Sequence, residues 1–427
     1  MKDLFKVLPP FAPDYSGVCS VLFELGGIVV VHDAGGCTGN VTGYDEPRWY
    51  GNSSAIYSSE LREIDAVTGD DEKFLIKLED AISVLERNFV ALLGSPAPMV
   101  IGTHFKALAH ILTKKTGLPV LAFDTNGINY YDSGSSMAFL ELARAFVKPA
   151  MDRACNKVNI IGATPLDIGK QQNIEKLIFI LNTAGYEVIS CWGMGSTLET
   201  IAGSAEAGAN IVVSRSGMDA ARYMEKEYGI PFIARLPIGN KTTERFVSDL
   251  DSLMSGSKRT AILQDESLLK RQEKVLVIGE QLRANAIRDC CKLDMGMTEV
   301  DVASFFTMDK LLIEESDICL EQENDLRSLT DEKQYDFIVG DPLYEELLAE
   351  DSKSRFIAFP HVALSSRLYW DDDFVYVGRN GFDFLQKEMK LQDFQRRLKS
   401  SFGEQEKFFC LPMFKRKKLG SINKRKL

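Results

Sequence analysis

The sequence lacks the motifs of the common hydrolases and nucleotide-binding enzymes. It contains no G-x-x-x-x-G-K-[ST] phosphate loop, no H-E-x-x-H zinc motif, no C-x-x-C pair and no G-x-S-x-G nucleophile turn. The segment GEQLRA at 279–284 also lacks the glycines of a G-x-G-x-x-G dinucleotide site. The chain therefore gives no support to hydrolysis of the familiar kinds, or to a nucleotide that it binds by itself.

Long apolar runs and an excess of positive charge are missing as well. No stretch is apolar over the length of a membrane span, and the start MKDLFKVLPPFAPDY has no unbroken apolar core of a secretory signal. The net charge of −11 disfavours general binding to nucleic acid or to anionic membranes. We therefore expect a cytoplasmic protein without nucleic-acid or membrane partners, and a solvated basic tail over residues 401–427.

The chain has eight cysteines, and in a cytoplasmic protein these are not expected to form a framework of disulfide bonds. Each is then a buried apolar filler, a reactive thiol or a metal ligand, and its surroundings must decide. Cys319 and Cys410 have no recognisable context. Packing is the expected role of four others: Cys155, Cys191, Cys290 and Cys291.

One pattern is repeated three times: a short β-branched run, a glycine-bearing turn and an amphipathic helix. It starts at Gly27–His32, at Lys157–Gly162 and at Lys274–Gly279. This repetition predicts an α/β protein with three doubly wound, Rossmann-like domains and mainly parallel sheets. The predicted division is a first domain at 1–153, a second at 154–254, a connecting helix at 255–273, a third domain at 274–400 and the tail at 401–427.

Ligands of such sheets gather at the loops that leave the carboxyl ends of the strands. We expect these loops to converge in a cleft between the domains. The loops in question follow His32, Gly102, Asp124, Gly162, Ser214 and Phe359. This expectation includes a strand end at Met99–Gly102.

Cys37 is the most informative residue. It lies in HDAGGCTGN, directly after a buried strand, where Gly35 and Gly36 would let a bulky metal cluster approach the backbone closely. Cys19 lies upstream on a predicted helix, where a core thiol is the simpler interpretation. Two cysteines cannot fill the four iron positions of a [4Fe–4S] cluster, so a cluster here would need ligands from a second chain.

The segments around these residues resemble the nitrogenase component 1 family. GVCSVLFELGGIVVVHDAGGC at 17–37 is similar to the family's cluster loop, and WGMGSTLETI at 192–201 to a turn of its second domain. EKEYGIPFIARLPIGNKTTERF at 225–246 and FIAFPHVALSSRLYW at 356–370 resemble later landmarks in the same order. The resemblance runs from about 14 to 385 and is closer to the β-like than to the α-like subunits.

The sequence departs from this family at the cluster. By the resemblance, the first cluster cysteine falls nearer Tyr15, so that Cys19 would have to replace it from one helical turn further on. A second missing cysteine belongs near Pro96, and the thiolate that holds the large nitrogenase cofactor belongs near Ser214. Reduction of dinitrogen is therefore not expected, and whether a second metallocofactor is bound stays open.

Several polar residues could have structural or functional roles. His32 could fix the Cys37 loop, and His104 and His361 could converge in the cleft as proton donors or could be ordinary structural histidines. Four polar residues could line the cluster's surroundings or a docking face, or could have no special role: Asp33, Asp45, Glu46 and Arg48.

The resemblance implies a catalytic-component subunit of an ATP-dependent reductase. A separate homodimeric ATPase reductase would pass electrons through a [4Fe–4S] cluster, shared across a subunit interface at Cys37, to a substrate in the cleft. The partner subunit would be an α-like sister in a heterotetramer, or a second copy in a homodimer. The alternatives are a scaffold for metallocofactor assembly and a metal- or chelate-binding protein without redox activity.

Overall fold

The computed structural model describes residues 5–49, 54–69, 71–85, 87–256, 270–370 and 373–401. Three separate sheets, of four, four and five strands, follow one another along these residues. All pairings between the strands named below are parallel. The predicted α/β class with parallel sheets is confirmed.

The first sheet is built on short β-branched or apolar strands. In the first strand, all four residues of IVVV are buried, as a strand covered on both faces requires. The strands are β1 (Ile28–Val31), β2 (Ala55–Ser58), β3 (Val90–Leu93) and β4 (Val120–Phe123). The helices are α1 (Asp14–Leu22), α2 (Gly36–Asn40), α3 (Glu63–Thr68), α4 (Asp71–Val84), α5 (Pro96–Ile101), α6 (Phe105–Thr116) and α7 (Tyr131–Phe146).

The second sheet repeats this plan. The helix at 218–228 ends at Gly229, whose positive φ of 67° allows the left-handed cap. The strands are β5 (Ala154–Ile161), β6 (Glu187–Cys191), β7 (Ala207–Val212) and β8 (Phe232–Ala234). The helices are α8 (Pro165–Ile168), α9 (Gln171–Thr183), α10 (Leu198–Ala202), α11 (Met218–Tyr228) and α12 (Asn240–Ser255).

The third sheet shares its core with the second. Val275 and Val277 of the third sheet belong to the same buried cluster as Ile160 and Ile211 of the second. The strands are β9 (Arg271–Ile278), β10 (Met297–Ser304), β11 (Ile318–Cys319), β12 (Phe337–Gly340) and β13 (Arg355–Ala358). The helices are α13 (Gln281–Asp289), α14 (Glu323–Glu332), α15 (Val362–Ser365) and α16 (Arg379–Ser401).

The first strand of each sheet lies between two later strands. The orders are β2-β1-β3-β4, β6-β5-β7-β8 and β11-β10-β9-β12-β13. The direction in which successive strands are added across the sheet therefore reverses beside β1, β5 and β9. The loops after these strands and their neighbours open a crevice at each switch point. These three crevices are places where the fold can hold ligands.

A close crossing of α1 and α7 fixes the first domain. A Cβ added at Gly17 would lie 2.0 Å from the backbone oxygen of Tyr131, and one at Gly134 would lie 1.8 Å from that of Asp14. Only glycine permits this approach, and the approach positions Tyr131 at the start of α7. α7 also contacts α11, so the crossing connects the first domain to the second.

Three local expectations are wrong. Met99–Gly102 is not a strand end, because α5 covers Pro96–Ile101; prolines in the first turn favour a helix start. The loop expected at 33–40 contains the short helix α2. The connecting helix predicted at 255–273 overlaps β9 at 271–273, and its middle, 257–269, lies outside the described residues, as does the tail from 402 onward.

The other domain boundaries stay predictions. Among the described residues, no helix combines the length and the apolar character that crossing a membrane requires.

We expect Gly134→Ala to lower the free energy of unfolding by about 2 kcal/mol or more, because the added methyl group meets backbone atoms that cannot rotate away. Gly203→Ala is the matched control: its Cβ would meet nothing closer than 3.7 Å, at an ordinary negative φ. Urea unfolding of both variants checks this. Equal midpoints for the two would contradict the close crossing.

Candidate functional site

The loop after β1 is held by a buried carboxylate. Asp33 accepts hydrogen bonds from the backbone N–H of Thr38 and from its hydroxyl, both at 3.0 Å, and from the hydroxyl of Ser58 at 2.6 Å. Gly35 turns the chain with a φ of 109°, in the region that favours glycine. Asp33 therefore fixes α2 against β2, which is a structural role.

His32, the residue before Asp33, helps to hold the same loop in place. Its Nδ1 lies 2.7 Å from the Ser59 hydroxyl, its ring stacks on Phe74 at 4.2 Å, and its backbone oxygen accepts from Ser95 Oγ at 2.7 Å. Burial lowers the pKa of His32 to about 4, so the ring is neutral at physiological pH. The contacts are those of a residue that positions the loop.

Cys37 lies at the switch point between β1 and β3. Its thiol is half-buried, and the hydroxyls of Tyr15 and Ser95 are within hydrogen-bonding reach of it. Burial raises the pKa of the Cys37 thiol, and the nearby hydroxyl groups of Tyr15 and Ser95 oppose that rise. Two hydroxyl groups, one from α1 and one from the residue before α5, thus lie beside this sulfur.

These three residues occupy the places that the resemblance assigned to cluster cysteines. The first missing cysteine was placed nearer Tyr15 and the other near Pro96; the side chain that reaches Cys37 is that of the neighbouring Ser95. The structure brings the three positions together, with one thiol and two hydroxyls. The sequence analysis placed that cysteine near Pro96 and did not single out Ser95.

Cys19 is in a different environment. It lies on α1 one turn beyond Tyr15, but its side chain has 0% exposure and packs in the core of the first domain. Burial strongly raises the pKa of this thiol, with a further rise from the charges of Glu46 and Asp45. A cluster ligand must be a thiolate, so its placement gives no support to the idea that Cys19 replaces the missing cysteine.

The surroundings of Cys37 suit one half of a shared cluster site. Cβ atoms added at Gly35, Gly36 or Gly39 would meet nothing within 4 Å, so the space beside the thiol is open. Among the described residues, no group of three or more His, Cys, Asp or Glu side chains could hold a metal ion. This chain can therefore supply part of a ligand set, which a second chain would have to complete.

The other polar residues of this region mainly tie the domains together. Arg48, in a short turn after α2, pairs with Glu46 at 2.7 Å and with Glu24 at 3.1 Å, and donates to the backbone oxygen of Gly193 in the second domain at 2.7 Å. Glu46 is 1% exposed, so this is a buried ion pair. Asp45 accepts hydrogen bonds from Ser16 Oγ and Asn40 Nδ2, both at 2.6 Å.

The structure does not bring His104 and His361 together. His104 is exposed at the start of α6, where its Nδ1 accepts from the backbone N–H of Ala107. His361 has 0% exposure, at the start of α15. Burial lowers the pKa of His361 well below its usual value, and the charge of Arg283 adds to this, so the ring does not carry a transferable proton at neutral pH.

Three of the four cysteines expected to pack do so. Cys191, Cys290 and Cys291 are buried, whereas Cys155 is exposed near the start of β5, so its predicted packing role is wrong. The strand begins outside the core, which its apolar run alone did not reveal.

A buried polar network fills the point where the strand ends of all three sheets meet. The Tyr131 hydroxyl donates to Asp167 and lies 3.2 Å from His361 Nε2. The backbone N–H of His361 donates to Asp341 at 2.7 Å. Ser214, near which the family's cofactor thiolate was expected, donates to the backbone oxygen of Gly162 at 2.7 Å.

Asp167 and Glu280 are the buried acids of this network, and the sequence analysis missed both. Glu280 caps α13 by accepting from the N–H groups of Leu282 and Arg283, and it accepts from the N–H of Arg215 at 2.7 Å. Burial raises the pKa of Asp167 above its ordinary range, and the charge of Glu280 adds to the effect. The available signal was their position in the chain: Glu280 directly follows β9, and Asp167 lies in α8, the helix that follows β5.

Three large apolar side chains of the first domain are exposed. Val100 is 78% exposed on α5, Ile128 is 66% exposed after β4, and Tyr44 is 64% exposed after α2.

A family model described as nitrogenase component 1 type oxidoreductase matches residues 15–388. The chain belongs to this family. The resemblance found in the sequence is therefore confirmed, and it covers the switch points of all three sheets.

The curated relatives that match this nitrogenase component 1 type chain include B subunits of light-independent protochlorophyllide reductase. The one from Methylocella silvestris is 25% identical over 215 residues, which is 45% of this chain and 42% of that protein. The one from Adiantum capillus-veneris is 29% identical over 141 residues, 30% of this chain and 27% of that protein. The matched segments thus span less than half of these relatives' length.

Solved structures match over nearly the whole chain. A structure described as nitrogenase Cp1 at pH 6.5 has a TM-score of 0.71, covers 96% of this chain and 98% of its own, and is 14% identical. A second, at pH 5, has a TM-score of 0.67 at 16% identity and covers 95% and 92%. At such low sequence identity, the structural similarity shows a shared fold alone.

Alkylation should distinguish Cys37 from Cys19. In the iron-free folded protein, we expect iodoacetamide to modify Cys37, at a rate that keeps rising above pH 8 because its thiol pKa is raised, and to leave Cys19 unmodified until urea unfolds the chain. Tyr15→Phe should slow the reaction of Cys37 at pH 8, because it removes a hydrogen bond that lowers the thiol pKa. Peptide mass mapping gives both rates, and equal rates for Cys37 and Cys19 would refute these assignments.

The buried acid Asp167 should make stability depend on pH. The folded chain keeps a proton on Asp167 at pH values where the unfolded chain, with its carboxyl pKa near 3.8, has released it. Stability from this group is therefore lost as pH rises, and Asp167→Asn should stabilise the protein increasingly between pH 5 and pH 8.

Urea unfolding of both proteins at several pH values measures that difference. Asp373→Asn, at a side chain that is 89% exposed, is the control and should show no such trend. A difference between Asp167→Asn and wild type that stays constant or shrinks with rising pH would contradict the burial argument.

Proposed function

We propose that this chain is a catalytic-component subunit of a nitrogenase-like, ATP-dependent reductase. In this role it meets a sister subunit at the face around Cys37 and receives electrons from a separate ATPase reductase that carries its own [4Fe–4S] cluster. The substrate is reduced in a cleft between the domains. Membership of the oxidoreductase family and the names of the curated relatives support the reaction class.

The observation that carries this proposal is the position of Cys37. Its thiol is reachable from the surface, lies at the switch point of the first sheet and has hydroxyl groups of Tyr15 and Ser95 beside it. Hydrogen bonds to sulfur stabilise the thiolate that metal binding requires. Cys37 packs only partly against the core of the first domain, whereas a cysteine with a packing role alone, such as Cys290, is fully buried.

The ligand count favours a heteromeric partner. A [4Fe–4S] cluster has four iron positions, and a pair of identical chains would bring only two thiolates if Cys19 stays in the core. A sister chain with cysteines at the positions of Tyr15, Cys37 and Ser95 would supply the other three. We therefore favour an α-like sister over a second copy of this chain.

The residues of this chain would have defined roles toward such a cluster. Cys37 would ligate one iron, Gly35 and Gly36 would leave room for the inorganic sulfides, and Asp33 would hold the loop rigid. When bound, the cluster supplies one-electron transfer at a potential set by its ligands and hydrogen bonds. The buried side chains of His32 and Asp33 would limit the access of water to the inner side of the loop.

The test is iron and sulfide analysis, with low-temperature EPR, of anoxically purified chain together with its sister subunit. We expect about four irons per shared cluster in the wild type. Cys37→Ala should abolish the reduced-cluster signal, because it removes this chain's only thiolate ligand at the site.

Two variants serve as controls. Cys155→Ala changes an exposed cysteine of the second domain and should retain full iron. Cys19→Ala should also retain iron, although it removes a core contact and lowers stability. Full iron in Cys37→Ala, or a wild type that carries no iron when purified with its sister subunit, would refute the proposed cluster site.

A further inference from the structure

A cavity of about 250 Å³ lies between the second and third domains, far along the chain from Cys37. Its walls come from 234–236 at the end of β8, from Arg245 on α12, from 282–289 on α13 and from 311–314 after β10. The carboxyl ends of parallel strands, such as that of β8, are where sheets of this kind hold ligands. The volume lies just below the range of about 300–1,000 Å³ for drug-sized ligands, so it suits a smaller molecule.

Arg245 is the side chain of this cavity that indicates the kind of ligand. It is 36% exposed and makes no hydrogen bond to any residue that the structure describes, and the carboxylates of Asp249 and Asp289 lie 4.0 Å from it. A guanidinium group has five N–H donors in a planar fork that matches a carboxylate or a phosphate. This fork is therefore available to an oxyanion in the cavity.

The same two carboxylates hold a second arginine of the cavity in place. Arg235 Nη1 lies 2.9 Å from Asp289, and its Nη2 lies 3.5 Å from Asp249. Asp249 is only 8% exposed, so water screens this contact weakly. Two guanidinium groups thus share carboxylates that orient them, which is how a preformed binding site keeps its polar groups in position.

The charges around the cavity favour a ligand with a single negative charge. Arg288, the third arginine of the walls, is already paired with Asp317 and with Glu314. The wall carboxylates Asp289 and Glu314 would repel a second negative charge on the ligand. One carboxylate group is therefore the best match for Arg245.

Apolar side chains form the rest of the walls. Leu282 is buried, whereas Leu311 and Ile313 are 76% and 40% exposed. The loop that carries the last two is held to α13, because Asn285 Nδ2 donates to the backbone oxygen of Leu312 at 3.0 Å. Apolar walls with a few fixed polar groups are typical of a site for a small organic molecule.

A larger groove, of about 1,120 Å³, lies at the amino ends of the third sheet and is a poorer place for a ligand. Two of its lysines are paired with carboxylates of the same groove, Lys274 with Glu299 and Lys333 with Asp301, each at 3.1 Å. It also lies at the end of the sheet opposite to the ligand-binding loops.

We infer that the cavity beside β8 binds a small organic monoanion. Its carboxylate group pairs with Arg245 and Arg235, and its apolar body packs on Leu282 and Leu311. The inference goes beyond the proposed function and requires neither the cluster nor the sister subunit. Such a ligand contacts α12 of the second domain and the 311–314 loop of the third, so its binding stabilises the folded chain.

The probe is 1-naphthoate, a carboxylate on an apolar ring system, titrated into the full chain at pH 7 and followed by calorimetry. The uncharged 1-naphthalenemethanol has the same ring system without the charge. We expect one saturable site for naphthoate, and a dissociation constant at least about tenfold higher for the alcohol, because a charged hydrogen-bonded pair contributes more than about 1.4 kcal/mol.

Two variants test the two parts of the site separately. Arg245→Gln should raise the dissociation constant of naphthoate at least about tenfold, and Leu311→Ser, at an exposed residue, about threefold. Arg144→Gln is the matched control: Arg144 is 51% exposed on α7, pairs with Glu141 at 2.7 Å and does not line the cavity. Its dissociation constant should change less than about twofold.

Each of four outcomes would overturn the inference. They are a wild type without saturable naphthoate binding, binding by Arg245→Gln and Leu311→Ser that equals the wild type, equal affinity for the alcohol and naphthoate, and loss of the site in the complex with the sister subunit. Equal affinity would indicate an apolar hollow without anion recognition. Loss of the site in the complex would indicate that a polypeptide covers the cavity.

Discussion

Burial of two carboxyl groups at one point constrains how the three sheets can be arranged. Asp167 and Glu280 follow the first strands of the second and third sheets, where low polarity makes a lone charge costly. N–H groups at the start of α13 and the charge of Arg283 stabilise Glu280, and Tyr131 of the first domain donates to Asp167. Moving any one domain would leave a buried acid without its donors, so the three keep one relative placement.

Because of this placement, the three switch points differ in how far side chains fill them. Those of the second and third sheets face each other and are filled by their own side chains, including Ser214 and His361. That of the first sheet is more open, and there the Cys37 thiol is only half-buried. The polar interior thus provides rigidity, while metal-binding chemistry is left to the first sheet.

The sequence predicted the sheets well, because buried parallel strands such as β1 are continuous β-branched runs. Short apolar runs were ambiguous, and Met99–Gly102 was misread for that reason. Helical spacing showed that Cys19 and Tyr15 share a side of α1 but not how deeply each side chain lies. The network of Asp167 and His361 joins residues almost two hundred positions apart, which no local pattern reveals.

The site also shows why fold and chemistry have to be judged separately in this family. The fold is similar to that of a nitrogenase structure that is only 14% identical in sequence to this chain. The backbone still brings three positions together at the first switch point, but only Cys37 among them is a thiol, and Tyr15 and Ser95 contribute oxygen. Geometry therefore carries over from the fold, whereas ligand type does not. One thiolate per chain makes the proposed site depend on its partner, so the identity of the sister subunit decides what this site can bind.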